Sequence, residues 1–201
     1  MAEKTLLIGL TGPIGSGKST VAKVWQANGA GIVEGDEMGR LALETAPELR
    51  QQLAERFGRD ILLPDGSVNR PILAMRAFAS DENSADLTRL TFPTLYRLAR
   101  EQCEQLGTTH RIVVFDAALI FEWGVERDFD KIITVTAAQK DLICRVAGRL
   151  GITCAMADER LSRQLPPSEK ARRADYVIVN DGTIEQLIEK AERVWREICL
   201  M

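Results

Sequence analysis

A chain of 201 residues has room for one domain with a substantial core and is too short for a string of independent modules. Hydrophobic residues at 45%, charged residues at 27%, 15 Gly and 7 Pro describe an ordinary globular protein and exclude disordered and fibrous classes. A formal charge of -3 leaves no net positive field to draw the chain onto nucleic acid or an anionic membrane, although a local basic site stays open.

The first predicted element is the apolar run Leu6 to Leu10, which enters a Gly-rich turn and then a helix-like stretch from Ser19 to Trp25. A second short strand, Gly31-Ile32-Val33, stops at Glu34-Gly35-Asp36, and Met38, Leu41 and Leu43 on a polar background then predict a helix. From about Pro47 to Leu106 the pattern is almost entirely helical, broken by Phe57-Gly58 and by the turn Pro64-Asp65-Gly66-Ser67. Buried strands return at Ile112 to Phe115, ending on Asp116, and at Ile132 to Val135, with a loop from Ala117 to Asp130 between them. Residues 138–172 read as helical and arginine-rich, Tyr176 to Val179 as a last strand, and Asn180 to Thr183 as the turn into an amphipathic helix reaching Ile198.

Five short apolar runs separated by helices predict an α/β fold with a mainly parallel sheet. The segment 47–106 is too long for a simple crossover and is expected to form a helical insertion beside the sheet within one domain spanning 1–201. Cys103, Cys144, Cys154 and Cys199 show no CxxC pairing, and His110 is the single histidine, so a Cys/His metal site has almost no ligands. The thiols read as small hydrophobes in a reducing compartment, and Trp25, Trp123 and Trp195 as packing residues. The opening lacks the basic head and long apolar stretch of a secretory signal, and no apolar run is long enough to span a bilayer, so the expected location is the cytoplasm.

Residues Gly12 to Ser19, Gly-Pro-Ile-Gly-Ser-Gly-Lys-Ser, match GxxxxGK[ST] in full, between a buried strand and a helix. The glycines let successive N–H groups turn inward at the positive end of a helix dipole and hold phosphate oxygens. Gly15, Ser16, Gly17, Lys18, Ser19 and Thr20 are the expected phosphate contacts, with Lys18 reaching the β- and γ-phosphates and Ser19 serving as a magnesium ligand. Pro13 precedes most of these donors.

Three further features favour a kinase. Asp36, past the carboxyl end of the second strand, fits a group that orients a substrate hydroxyl and accepts its proton, and equally an N-cap for a helix starting near Glu37. Asp116 fits a magnesium ligand, directly or through water, or a plain strand-end turn. Arg145 and Arg149 lie four apart on one helical face before Gly151, where a lid over 138–172 would carry them to the phosphates, while a solvated face is the alternative for the arginine run. A GTP-binding switch would need guanine contacts, and no [NT]-K-x-D string follows the middle strands. Another small-molecule kinase with a nucleoside or nucleotide acceptor, or a non-catalytic ATP-sensing module, would use the same loop.

In this order the motifs resemble the dephospho-coenzyme A kinase family over nearly the whole chain. The likeness runs through the loop with Glu34-Gly35-Asp36, then Phe57-Gly58, Asp65-Gly66 with Arg70, and Asp116-Ala117-Ala118-Leu119-Ile120-Phe121-Glu122. It continues through Arg145, Arg149, Arg160, Gln164, Lys170, Ala174 to Ile178, and Asn180-Asp181-Gly182. The resemblance implies a P-loop kinase fold with an acceptor-side helical insertion and a lid, and ATP- and Mg2+-dependent phosphorylation of the ribose 3′-hydroxyl of dephospho-coenzyme A. It implies small-molecule substrates with no nucleic-acid, membrane or obligate protein partner, Asp36 as base, lid arginines on ATP, and Asn180 and Gly182 beside adenine. It also associates Phe121 and Glu122 with the acceptor. Glu34, Phe92, Ala118, Leu150 and Val179 depart from the family pattern, which has Asp, His, Pro, Asp and Asp there.

Overall fold

The structure is a computed structural model that describes residues 5–200. Among these residues five strands form one parallel sheet in the order β2-β3-β1-β4-β5. The strands are β1 (Leu6–Thr11), β2 (Gly31–Glu34), β3 (Ile112–Asp116), β4 (Lys131–Thr136) and β5 (Tyr176–Val179). The helices are α1 (Lys18–Ala27), α2 (Gly35–Thr45), α3 (Pro47–Phe57), α4 (Arg70–Ala77), α5 (Asp81–Gly107), α6 (Gln139–Leu150), α7 (Cys154–Ser162), α8 (Pro167–Arg173) and α9 (Ile184–Cys199).

The chain divides into two compact units, residues 34–102 and the remainder. In the sheet unit β1 pairs with β3 from Leu6 opposite Ile112 to Leu10 opposite Asp116, and with β4 from Ile8 opposite Lys131 to Thr11 opposite Thr134. The two-residue period of the strands sorts their side chains. Ile8, Leu10, Val114, Ile133, Val135 and Ile178 join α1 and α9 in one core through Val21, Trp25, Leu187, Ala191 and Trp195. Trp25 and Trp195 meet at 6.1 Å between ring centroids, and the Trp25 indole N–H donates to the Ala191 carbonyl at 2.9 Å. On the other face Phe115 stacks on Phe129 at 5.9 Å and lies 6.5 Å from Trp123. Gly9 points there too, and a Cβ on it would strike Ile132. Trp25, Trp123 and Trp195 are thus all engaged with other aromatic rings.

The helices α6 and α7 carry a small core of their own, Leu142, Val146, Ala157 and Leu161, against which Ile14 packs. The stretch read as helical over 138–172, with a turn at Gly151, is three helices: Gly151 takes φ 63° as the C-cap of α6, and Pro166 precedes α8. Cys103 is buried, but Cys144 and Cys154 are exposed, which corrects the reading of all four thiols as small hydrophobes. Cys144 lies two residues from both Leu142 and Val146 and so on the outer face of α6, while Cys154 is the first residue of α7.

The unit 34–102 takes in α2 as well as the segment from Pro47. Its core includes Met38, Ala42, Leu49, Leu53, Phe57, Ile61, Leu73 and Ala77. Arg56 ties α3 to α5 through Asp86 and Asn83, and Arg76 of α4 pairs with Asp60. Pro93 sits inside α5 without ending it. Phe92, where the family has a histidine, stacks on Tyr96 at 5.3 Å.

Candidate active site

The sheet ends where β1 runs into the loop Gly12 to Gly17. Gly12, Gly15 and Gly17 have φ of 139°, 81° and 104°, a region that side chains with a Cβ rarely enter. Space forbids a Cβ at two of them as well. At Gly12 it would overlap the carbonyl oxygen of Val135, and at Gly17 it would lie 2.7 Å from Asn180 Nδ2. These glycines therefore answer to both backbone shape and close packing. Gly17 is also the N-cap of α1, so the loop delivers Lys18, Ser19 and Thr20 into the first turn, at the positive end of the helix.

Several long-range contacts hold the loop in shape. Lys18 Nζ donates to the Gly12 carbonyl at 3.1 Å, folding its ammonium back over the loop. Asn180, buried just after β5, donates from Nδ2 to the Ser16 carbonyl at 2.8 Å, and its own N–H donates to Thr136 O at 2.7 Å. Arg145 reaches Gly15 O and Asn180 O, each at 3.5 Å, and the Gln164 amide oxygen accepts the Ile14 N–H at 3.1 Å. Within the loop Ser16 N–H donates to Pro13 O, and Thr20 N–H to Gly17 O. The Ser16 hydroxyl is fully buried and finds no hydrogen-bond partner among the described residues, a polar group prepared for something else.

Asp116 is the last residue of β3, opposite Leu10, and the next N–H, of Ala117, donates to Leu10 O at 3.0 Å. This register sets Asp116 at the end of the strand beside β1, whose chain continues into the loop. Thus the structure brings Gly15, Ser16, Gly17, Lys18, Arg145 and Asn180 into one connected cluster. Arg149, one turn beyond Arg145, is exposed in the last turn of α6, and Ser19 is exposed in the first turn of α1. Gly182 precedes the capping box of α9, in which Thr183 N–H donates to Gln186 Oε1 at 2.9 Å, and a Cβ on Gly182 would overlap that oxygen.

In the unit 34–102, Asp36 is exposed in the first turn of α2. The helix begins at Gly35 with Glu34 as N-cap, so Asp36 is inside the helix and does not cap it, contrary to the capping alternative.

The family resemblance matched Gln164 and Lys170 without assigning them a role and associated Glu122 with the acceptor, and the structure builds all three into this region. Lys170 is completely buried and pairs with Glu122 at 2.7 Å. Burial pushes its ammonium below the usual lysine range, while the Glu122 carboxylate pulls it back up. No local signal marks it, since α8 is charged on all sides and reads as a solvated helix.

A strand, a phosphate-shaped glycine loop and a helix in a parallel sheet, with Lys18 over the loop, define a P-loop nucleotide-binding protein. The family model described as dephospho-CoA kinase matches residues 6–186. The dephospho-CoA kinase of Syntrophotalea carbinolica is 37% identical over 182 residues, covering 90% of this chain and 86% of that protein. That of Corynebacterium glutamicum is 36% identical over 197 residues, covering 96% and 97%. The crystal structure of TT1252 from Thermus thermophilus superposes with a TM-score of 0.79 at 29% identity, over 97% of this chain and 98% of that one. The chain belongs to the dephospho-CoA kinase family.

Proposed function

We propose that this protein transfers the γ-phosphoryl group of ATP to the ribose 3′-hydroxyl of dephospho-coenzyme A, releasing coenzyme A and ADP. The observation that carries the reading is the complete phosphate loop, with its positive-φ glycines and the orphaned Ser16 hydroxyl, in a chain matched by the family from residue 6 to 186.

In this reading the loop N–H groups and the Ser16 hydroxyl hold phosphate oxygens, and Lys18 leaves the Gly12 carbonyl for the β- and γ-phosphates. Gly15, Gly17 and Thr20 complete the cradle, and Asn180 and Gly182 form the turn beside the adenine. Asp36, two residues past the carboxyl end of β2, orients the acceptor hydroxyl and takes its proton. The ribose oxygen bonds to the γ-phosphorus as the bond from that phosphorus to the β,γ-bridging oxygen breaks, and ADP carries the electron pair away. Arg145 and Arg149 offset the charge on the γ-phosphoryl oxygens. Because such transition states are loose, placement and charge matter more than strong deprotonation.

Ser19 and Asp116 are hard oxygen donors, as Mg2+ requires, and Mg2+ takes one or two protein ligands with phosphates and waters, so the pair fits that ion. Bound there, Mg2+ would neutralise charge on the β- and γ-phosphates. Among the described residues no helix is long and apolar enough to cross a membrane. We place the reaction in the cytoplasm, without an obligate protein partner.

The test is ADP production from MgATP by the purified protein with dephospho-coenzyme A, adenosine or AMP as acceptor, with mass detection of the product. Stimulation by dephospho-coenzyme A alone, with one phosphate added at the ribose, is the expected result. Stimulation by adenosine or AMP instead would assign a different acceptor, and intact ATP binding with no transfer to any of them would refute dephospho-coenzyme A as the acceptor.

A further inference from the structure

Lys170 and Glu122 close a ring of hydrogen bonds that begins and ends on the phosphate loop. Lys170 Nζ donates to Glu122 Oε2 at 2.8 Å and to the Ala118 carbonyl at 2.5 Å, and lies 2.7 Å from Glu122 Oε1. The Ala118 carbonyl also accepts the hydroxyl of Thr11 at 3.2 Å, and Thr11 is the residue before Gly12. In the other direction Glu122 Oε1 accepts the Leu165 N–H at 2.9 Å. The neighbour of Leu165, Gln164, accepts the Ile14 N–H at 3.1 Å. The circuit therefore runs from Thr11 through Ala118, Lys170, Glu122, Leu165 and Gln164 to Ile14, and returns along the loop.

Stability alone does not call for such a pair. Burying a lysine is costly even with a partner, and apolar replacement of a buried ion pair is often neutral or stabilising. Here the Lys170 side chain has no solvent exposure and Glu122 little. Geometry gives the pair its use: it fixes Ala118, two residues beyond Asp116, and the segment between α7 and α8 relative to both flanks of Gly12. Only the backbone carbonyl of Ala118 takes part, so the departure from proline at this position leaves the circuit intact.

We propose that Lys170 and Glu122 are positioning residues of the ATP site, which hold the phosphate loop through Ala118 and Gln164. This assigns Glu122 to the phosphoryl donor, where the family resemblance associates its region with the acceptor. The proposal rests on the reading of the loop as the ATP site.

The experiment uses Lys170→Met, Glu122→Gln and the double variant. It measures thermal midpoints, calorimetric MgATP affinity, KM for each substrate, and amide hydrogen exchange at Ile14. Lys170→Met alone strands the Glu122 carboxylate and lowers the midpoint. The double variant removes both charges and recovers most of it, yet MgATP affinity stays about ten-fold weaker in both, since charge-assisted contacts that set the loop are gone. KM for dephospho-coenzyme A stays within about two-fold of wild type while Ile14 exchanges faster, as expected of a loop freed at one flank. Recovery of midpoint and ATP affinity together in the double variant would reduce the pair to a structural role and overturn the proposal. A rise in KM for dephospho-coenzyme A with ATP affinity unchanged would overturn it in favour of the acceptor side. Failure of the wild-type protein to bind MgATP would instead refute the ATP-site reading and the proposal with it.

Discussion

Gly12 and Gly29 separate the cost of backbone conformation from the cost of crowding. Both have positive φ, 139° and 97°, but a Cβ at Gly29 would meet nothing within 4 Å, whereas one at Gly12 would overlap the Val135 carbonyl oxygen, far inside the 3.0 Å that real Cβ contacts respect. Gly29→Ala therefore pays only the left-handed conformation, about 1 kcal/mol once the stiffer unfolded chain is counted. Gly12→Ala carries at least that penalty, since its φ lies further from the left-handed well at about +57°, and must also move a carbonyl in β4, whose Val135 is in register with Ile178 of β5. Such overpacking adds about 1–3 kcal/mol, so the expected total is about 3 kcal/mol. For a chain of this size the thermal midpoint should fall by about 3 °C in Gly29→Ala and about 9 °C in Gly12→Ala. Activity should part the two more widely, because the Gly12 carbonyl anchors Lys18, while Gly29 lies in the turn between α1 and β2. Scanning calorimetry with steady-state kinetics on the two variants is the assay. Equal midpoints, or full activity in a folded Gly12→Ala, would refute the argument that Val135 dictates a glycine at this place.

Lys18→Ala is expected to lower kcat by about 100-fold or more, the scale for losing a preorganised charge from a transition state; near-wild-type turnover in a folded variant would remove Lys18 from its role. Arg149→Ala should lower kcat about ten-fold or more with an unchanged midpoint, since Arg149 is exposed. Asp36→Asn, also at an exposed position, should lower kcat by about 100-fold if the carboxylate takes the proton, and a loss confined to KM would leave it an orienting role only. In the unit 34–102, hydrogen bonds from Arg56 first and then Arg89 hold Asp86 below the usual carboxylate range. Its stabilising contribution is therefore complete above the unfolded value of about 3.9 and is lost as pH falls through the lower folded value. Asp86→Asn should lower the midpoint at pH 7 by an amount that closes once the pH drops well below about 4, and a difference independent of pH would show that charge is not its source.

The loop was legible because its signals are local: an apolar strand, a fixed glycine spacing and a helix start follow one another within twenty residues. Asp116 was legible for the same reason, as the acid that ends a buried run. Sequence position did not reveal what holds the loop in place, because those partners come from far along the chain. Asn180 is 164 residues from Ser16, and Gln164 is 150 from Ile14. Lys170 matches the family pattern, but its burial and pairing were the hardest to see, since Glu122 lies 48 residues away and nothing in a short, charged helix distinguishes a buried cation from its solvated neighbours. The start of α2 was misplaced for a different reason. Gly35 is buried and the helix follows β2 directly, leaving no loop residue for Asp36 to occupy as a cap.

The partners that shape the loop also bear on what it can select. Lys18 donates to the neutral carbonyl of Gly12, a bond in which only the ammonium carries charge. A phosphate oxygen offers this ammonium an opposite charge as well as an acceptor. A polyphosphate therefore gains more from Lys18 than a neutral ligand does. The Ser16 hydroxyl has no partner among the described residues, so a hydrogen bond to a phosphate oxygen would satisfy a buried polar group. Ser16→Ala should consequently weaken MgATP binding while leaving the thermal midpoint at or above the wild-type value, a combination that an internal structural bond from this hydroxyl would not produce.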